Sequence, residues 1–546
     1  MKAFNSMRRD FLRTGSLGMA AAAIPAVSLA ATGQDSTPAG EPARNLFDVR
    51  KYGATGDGKT LDTDAVNRAI EAAAGRGGVV VFPAGSYLCF SIHLKSQVHL
   101  LLEQGSAIVA ADSPMPGDQT GYNGGVYDNA EPNTAWDAYQ DYGHNHWHNS
   151  LLWGEDIHDV SITGPGLIWG RGLSNGRGRK GDGAPFKAEQ AGAANKAIAL
   201  KNCRNVLLRD FAILKGGHFG LLLTGVDNLT IDNLKIDTDR DGIDIDCCQN
   251  VRVSNCTVNS PWDDGICPKS SYALGYARPT RNVTISNCWV TGWYELGSVL
   301  DGTFKKFAQG AVPHQTGRIK CGTKSNGGFI NITISNCVFE GCQGYALESV
   351  DGALLEDITI SNTTMRDLAS GPIFMRLGAR LRGPKESTKV GTLRRILISN
   401  LECYNAPQKV SSILSGIPGY PIEDVKLSNI YIETVGGATA EMAQIQPPEL
   451  EAAYPEPRMF GPMPASGFFL RHVRNVEMSH VEIANAVADA RPAFHLTDVE
   501  RADFFAVTAP RGADGAFALH DVKNLRIGWS RAAADASLDK VDSKML

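Results

Sequence analysis

The sequence predicts an all-β fold, a right-handed parallel β-helix with a short N-terminal capping helix, and three observations carry that prediction. The first is a recurring strand-like phrase: NLTIDN from Asn228, NVRVSN from Asn250, NVTISN from Asn282, NITISN from Asn331, DITISN from Asp357 and DVKLSN from Asp424. The second is its spacing, which falls to 22 residues between Asn228 and Asn250. The third is that each phrase alternates apolar and polar residues at period two, with no amphipathic helical pattern between copies. A strand of four to six residues cannot bury its apolar face alone. Stacking copies at a short period buries a continuous core, with coils about 4.8 Å apart. The repeated Asn residues are expected to turn the corners and hydrogen-bond along the stack.

From the N-terminus, Arg8 and Arg9 precede Asp10-Phe11-Leu12, an apolar run and small residues near Ala30. The run is too short to span a membrane, and residues 1–30 read as a twin-arginine-type signal peptide. Export to the periplasm or outside the cell is the expectation. Residues 31–44 read as a Pro/Ala/Gly-rich linker, and residues 45–530 as one β-helix domain. At its start, Asp62 or Asp64 is a helix N-cap, Val66, Ile70 and Ala73 share a helical face, and Gly75, Gly77 and Gly78 end the helix. This helix should cap the open end of the solenoid. Residues 531–546 read as a polar tail.

The chain has 546 residues and a formal net charge of −5, which argues against nucleic acid as a partner. No other segment is long and apolar enough to span a membrane, and a monomer is expected. Eleven cysteines lack the paired spacing of a zinc site. Cys256, Cys288 and Cys337 each end an SNC phrase, as buried structural thiols of a repeat would.

Two acidic stretches stand out, DTDRDGIDIDCC at 237–248 and SPWDDGICPKS at 260–270. Asp241 and Asp263 are 22 residues apart, one coil, and are expected to stack. Asp264 adds a third carboxylate. Arg318 and Lys320, in GRIKCGT, point to one face of an extended strand. Lys269 reads as a support for Asp263 and Asp264, while Asp244 and Asp246 read as structural corner residues. His144, His146 and His148 alternate without Cys or Glu partners beside them, so no metal site is expected. Their loop reads as a source of aromatic platforms for sugar rings. The stretches 371–392 and 445–467 read as long loops walling one end of a cleft, which favours attack at chain ends.

These stretches, in order, resemble glycoside hydrolase family 28, the polygalacturonase family. The opening FDVRKYGATGDGKTLDTDAVNRAI is similar to the entry of many pectin-acting β-helix enzymes. Asp241 falls at the aspartate of the family's Asn-Thr-Asp segment, Asp263 and Asp264 at its Asp-Asp segment, and Arg318-Ile319-Lys320 at its Arg-Ile-Lys segment. The likeness covers residues 46–370 well and the later repeats loosely. It implies an inverting hydrolase of a pectin-like or other uronate-containing glycan, with no cofactor. Asp263 would donate a proton, Asp241 and Asp264 would activate water, and the acid and base would stand about 6.5–9.5 Å apart. Arg318 and Lys320 would hold the sugar. Two departures matter. Asp239-Arg240-Asp241 replaces Asn-Thr-Asp, and YELGS, with Glu295, stands where the family has Gly-His-Gly. Glu295 is a candidate substrate contact, a substitute acid, or a loop residue paired with Lys305. Two rivals remain: a polysaccharide lyase using calcium held by Asp residues, and a non-catalytic carbohydrate-binding solenoid.

Overall fold

The computed structural model describes residues 45–115, 117–141, 143–175 and 190–546. The signal-like segment and the linker, residues 1–44, lie outside the described residues. The described residues from Asn45 onward form a right-handed parallel β-helix whose earlier coils each carry three short strands, two of which fuse into one longer strand from Phe329–Glu340 onward. One coil runs through Phe219–Thr224, Asp227–Asp232 and Lys235–Asp237, and the next through Asp241–Asp246, Gln249–Ser254 and Thr257–Asn259. Equivalent strands pair in parallel, as in the register Leu229↔Val251, Val251↔Val283 and Val283↔Ile332. The period-two pattern sends these residues inward, where they are at most 1% exposed.

The corners are built as the repeat predicts. Asn228, Asn250, Asn282 and Asn331 adopt φ of 54° to 58°, a left-handed conformation that Asn tolerates. Their amides form a ladder: Asn282 Nδ2 donates to Asn250 Oδ1 at 3.0 Å, and Asn331 Nδ2 to Asn282 Oδ1 at 2.8 Å. All eleven cysteines are buried free thiols.

The capping helix spans Thr63–Ala74 and buries Val66, Ile70 and Ala73. Asp62 occupies the N-cap position, but its carboxylate accepts from the Thr55 and Gly56 amides at 2.6 and 3.0 Å and so ties down the preceding turn. The other end corrects the expected polar tail. Residues Ala536–Met545 form a strand antiparallel to Phe517–Gly528, with Leu538 opposite Leu525 and Val541 opposite Val522. A parallel stack leaves an open edge at its last coil, and this strand covers it. The last turns of the solenoid therefore extend past the point where the repeat phrases weaken.

One strand per coil lines the face that carries the acidic stretches. Its outward residues form a column: Leu222, Asp244, Cys267, then Lys320, Ala346, Phe374, Ile413 and Phe469. Two long connections fold over this column. Residues 111–150 pack Trp147 against Ala199, Phe219 and Leu222. Residues 437–467 pack Phe460 and Met463 against Phe374, Ile413 and Phe469. The expected loop at 371–392 is shorter, because Ile373–Leu377 is one of the column strands.

Candidate active site

The strand Asp241–Asp246 and its neighbour Ile266–Lys269 set the site by their register. Ile243 pairs with Ile266, an offset of 266 − 243 = 23 residues. Asp241 therefore stands against Asp264, and Arg240 against Asp263. The expectation that Asp263 stacks on Asp241 is off by one residue, because this coil is one residue longer than the tightest repeat. The Asp264 amide donates to Asp241 Oδ1 at 3.3 Å, and Arg240 Nη2 and Nε donate to Asp263 Oδ2 at 2.7 and 3.1 Å. The carboxylate trio is nonetheless assembled. An oxygen of Asp241 and one of Asp263 lie within 4.8 Å of each other. That is closer than the expected 6.5–9.5 Å, so the separation does not carry the inverting assignment.

Arg318 and Lys320 flank the inward Ile319 and converge on one carboxylate, as their spacing predicts. Arg318 Nε lies 2.9 Å from Asp264 Oδ1, and Lys320 Nζ 2.6 Å from Asp264 Oδ2. Their expected role as sugar contacts is not what these bonds serve. Arg318 is fully enclosed, with Nη1 donating to Gln343 Oε1 at 2.7 Å and Nη2 to Glu456 Oε1 at 2.8 Å. Lys320 is 3% exposed. Both act on Asp264. Lys269 supports different carboxylates from those expected, lying 2.9 Å from Asp244 and 3.4 Å from Asp241.

The environments push the protons apart. Burial, with the charges of Asp244 and Asp263, raises the Asp241 carboxyl well above the usual range. Burial pushes Asp244 up to about 6 against the pull of Lys269. Burial would also raise Asp264, but Lys320 and Arg318 reverse this and hold it below the usual range. At Asp263 burial is likewise outweighed, by Arg240, a hydrogen bond from Asp241 and Lys320, and the carboxyl is held low. These environments make Asp241 the more readily protonated of the pair and Asp263, the expected acid, the more readily ionised.

Glu295 is not brought to this cluster. It forms a solvent-facing pair with Lys305 at 2.6 Å, the last of the three expectations for it. Residues 292–317 leave the stack, and the Gly265 amide donates directly to the Arg318 carbonyl at 2.8 Å. The segment where the resemblance places a histidine therefore adds no strand to the column. Its backbone instead caps Asp237, which accepts from the Gly297 and Val299 amides.

Several site residues escape sequence reasoning. Asp244 is fully buried in the cluster and is no corner residue, whereas Asp246 is structural, accepting from Ser271 N and Oγ. His144 comes from the 111–150 connection to 3.8 Å from Asp244 and 4.0 Å from Asp241. Burial, then Lys269, holds it neutral. His218 precedes Phe219–Thr224, with a ring nitrogen within 4.8 Å of oxygens of Asp241 and Asp263. Trp147 is buried and His148 stacks on Trp153 at 3.9 Å, so these rings serve packing more than an open sugar platform. Among the described residues, three groupings are close enough to share a cation: His144 with Asp241 and Asp244, His218 with Asp241 and Asp263, and Glu131 with His148 and Glu155. In each, a cation is already supplied, by Lys269, Arg240 and Lys201 respectively. Tandem arrangement in the sequence hinted only at Arg240, through its departure from the resembled motif.

Residues 46–137 match a family model described as rhamnogalacturonase A/epimerase, pectate lyase-like, and residues 186–290 one for a right-handed β-helix region. An exo-poly-α-D-galacturonosidase of Dickeya chrysanthemi is 21% identical over 374 residues, 61% of this chain and 57% of that protein. The plasmin and fibronectin-binding protein A of Streptococcus pneumoniae is 28% identical over 190 residues, 34% of this chain and 23% of that protein. The chain thus spans less than two thirds of the length of either relative. Among solved structures, a family 28 exopolygalacturonase of Yersinia enterocolitica superposes with a TM-score of 0.61 at 19% identity, over 85% of this chain and 78% of that one. The fold is that of the polygalacturonase β-helices, and the chain is similar to them in sequence at a distance.

Proposed function

We propose that this protein is a glycoside hydrolase of a pectin-like or other uronate-containing glycan, using aspartates as acid and base. The observation that carries the reading is the trio Asp241, Asp263 and Asp264 on adjacent coils, with Arg318 and Lys320 both directed at Asp264. Two cations on one buried carboxylate keep it ionised, so that it can orient the attacking water while Asp241 beside it takes the proton. A crowded second pair, Asp241 and Asp263, retains one proton for the glycosidic oxygen. Inversion at the anomeric carbon rests on the resemblance alone. The galacturonosidase relative favours hydrolysis over the lyase reading, and the streptococcal relative keeps a binding solenoid as the alternative. Complete pairing of the trio with its cations favours catalysis over that alternative.

The 437–467 connection, anchored beside the trio through Glu456 and Arg318, supports cutting at chain ends. Export through the twin-arginine-type segment completes the proposal, and is tested by fusing residues 1–30 to a reporter in cells with and without twin-arginine transport. The central test is reducing-sugar release from a glycan panel in chelator, with Asp263→Asn beside wild type. Release by wild type that Asp263→Asn abolishes supports the reading. A requirement for calcium with an unsaturated product, or no cleavage of any glycan, removes it.

A further inference from the structure

The cations expected to hold an acidic sugar are spent on Asp264, so the site needs another. Among the described residues four cations touch its carboxylates, and their side-chain exposures are 0% for Arg318, 3% for Lys320, 5% for Lys269 and 24% for Arg240. Of these four, Arg240 alone reaches the solvent side, and its partner Asp263, at 26%, is the most exposed carboxylate of the trio. The pairing is also geometrically incomplete. Nε and Nη2 both address a single oxygen, Asp263 Oδ2. A guanidinium matched to a carboxylate uses two parallel bonds to two oxygens. Among the described residues, Nη1 of Arg240 has no acceptor, so the fork has room for a second carboxylate.

We propose that Arg240 is the docking cation for the uronate carboxylate of the substrate, and that its capture by the sugar releases Asp263 to become the acid. This deepens the hydrolase reading and rests on it. In the free site Arg240 holds Asp263 ionised and the proton sits on Asp241. The groups facing Asp263 are Arg240, Asp241, Asp264, Lys320 and the neutral His218. Once Arg240 turns to the sugar, Asp263 is left among buried like charges, and the proton moves from an Asp241 oxygen to an Asp263 oxygen across their hydrogen bond. Asp263 then gives it to the glycosidic oxygen as the bond to the anomeric carbon breaks. A water oxygen bonds that carbon, and its proton passes to Asp241, beside the ionised Asp264. One water is consumed. The final state, a protonated Asp241 and an ionised Asp263, is the free state again, and Arg240 returns to Asp263 as the acidic product leaves.

The test compares an oligogalacturonide with its methyl ester on wild type, Arg240→Gln and Arg240→Lys, with thermal melting to verify folding. Wild type should prefer the acid. Arg240→Gln should lower kcat/KM on the acid by about 10- to 100-fold, chiefly through KM, and so abolish the preference for the acid over the ester. Arg240→Lys should restore part of the loss on the acid. Equal losses on acid and ester, or a wild type indifferent to esterification, overturns the proposal while leaving hydrolysis standing. A binding arm is independent of turnover: calorimetry of galacturonic acid and galactose on wild type and both variants. Acid-selective binding lost in Arg240→Gln supports the assignment even where no glycan is cut. Selectivity unchanged in both variants overturns it.

Discussion

The coils from Asp241 to Lys320 and those from Phe374 to Arg471 share one face and one column of the solenoid, yet they bury charge in opposite ways. In the first, among the described residues, four buried or half-buried aspartates meet four cations, and two of the carboxyls are pushed up, by burial first and by their acidic neighbours second. In the second, Arg376 and Arg471 are buried with a single carboxylate beside them among the described residues, Glu449, 3.1 Å from Arg471 and half-exposed. They donate to backbone carbonyls, Arg376 to Gly416 and Glu449 and Arg471 to Pro447 and Pro448, and both lie 5.4 Å from the Phe460 ring centre. Burial, then Arg471, pushes Arg376 down to about 10. An arginine satisfied by carbonyls holds a loop in place. A carboxylate cluster short of protons and arranged around two cations is built to move one. Buried charge alone does not mark a catalytic centre, and the choice of partner separates the two cases.

The largest test of that contrast is Asp264→Asn against Arg376→Met. Removing the carboxylate that Arg318 and Lys320 address should lower kcat by about 100- to 10,000-fold, with little change in KM. Arg376→Met should leave kcat on short oligomers within a few-fold. It should cost about 1–3 kcal/mol in denaturant unfolding, because buried carbonyls lose their donors, and internal cuts should appear among the products as the 437–467 connection loosens. If Arg376→Met silences the enzyme with its fold intact, the two regions are not separable.

A smaller shift should appear in the pH profile. A catalytic proton held on a carboxyl raised above its ordinary value is lost as pH rises, so kcat falls on the alkaline side. Asp264, held low, stays ionised until the pH drops below the usual carboxylate range, so the acid limb lies low. Asp244→Asn removes one of the charges that raise Asp241 and leaves Lys269 to act on it. The alkaline limb should then move to lower pH, and an unmoved limb in steady-state profiles would count against a shared proton. The smallest effect is expected at Glu295. Its pair with Lys305 is exposed, and such pairs contribute less than about 1 kcal/mol. Glu295→Gln should change kcat/KM by less than about twofold, and a larger loss would return this residue to the site.

The solenoid was legible because a period-two strand and a coil-length repeat leave few alternatives, and the Asn corners stacked as the repeat required. The trio and its two convergent cations were legible for the same reason, since residues one coil apart meet. The register was not, because a single added residue before Ile266 moved Asp263 from Asp241 to Arg240. Nor was Glu456, which reaches Arg318 from 138 residues away, or His144 from the 111–150 connection. Loops returning over a face leave no periodic trace. The closing strand Ala536–Met545 was hidden by its composition, since it buries only one side and that side thinly.

The most direct measurement is mass spectrometry of the first products from an oligogalacturonide in oxygen-18 water with chelator, wild type beside Asp264→Asn. The account predicts one heavy oxygen at the new reducing end, no unsaturated sugar, and almost no product from Asp264→Asn. An unsaturated product without heavy oxygen, or equal turnover by Asp264→Asn, would contradict it.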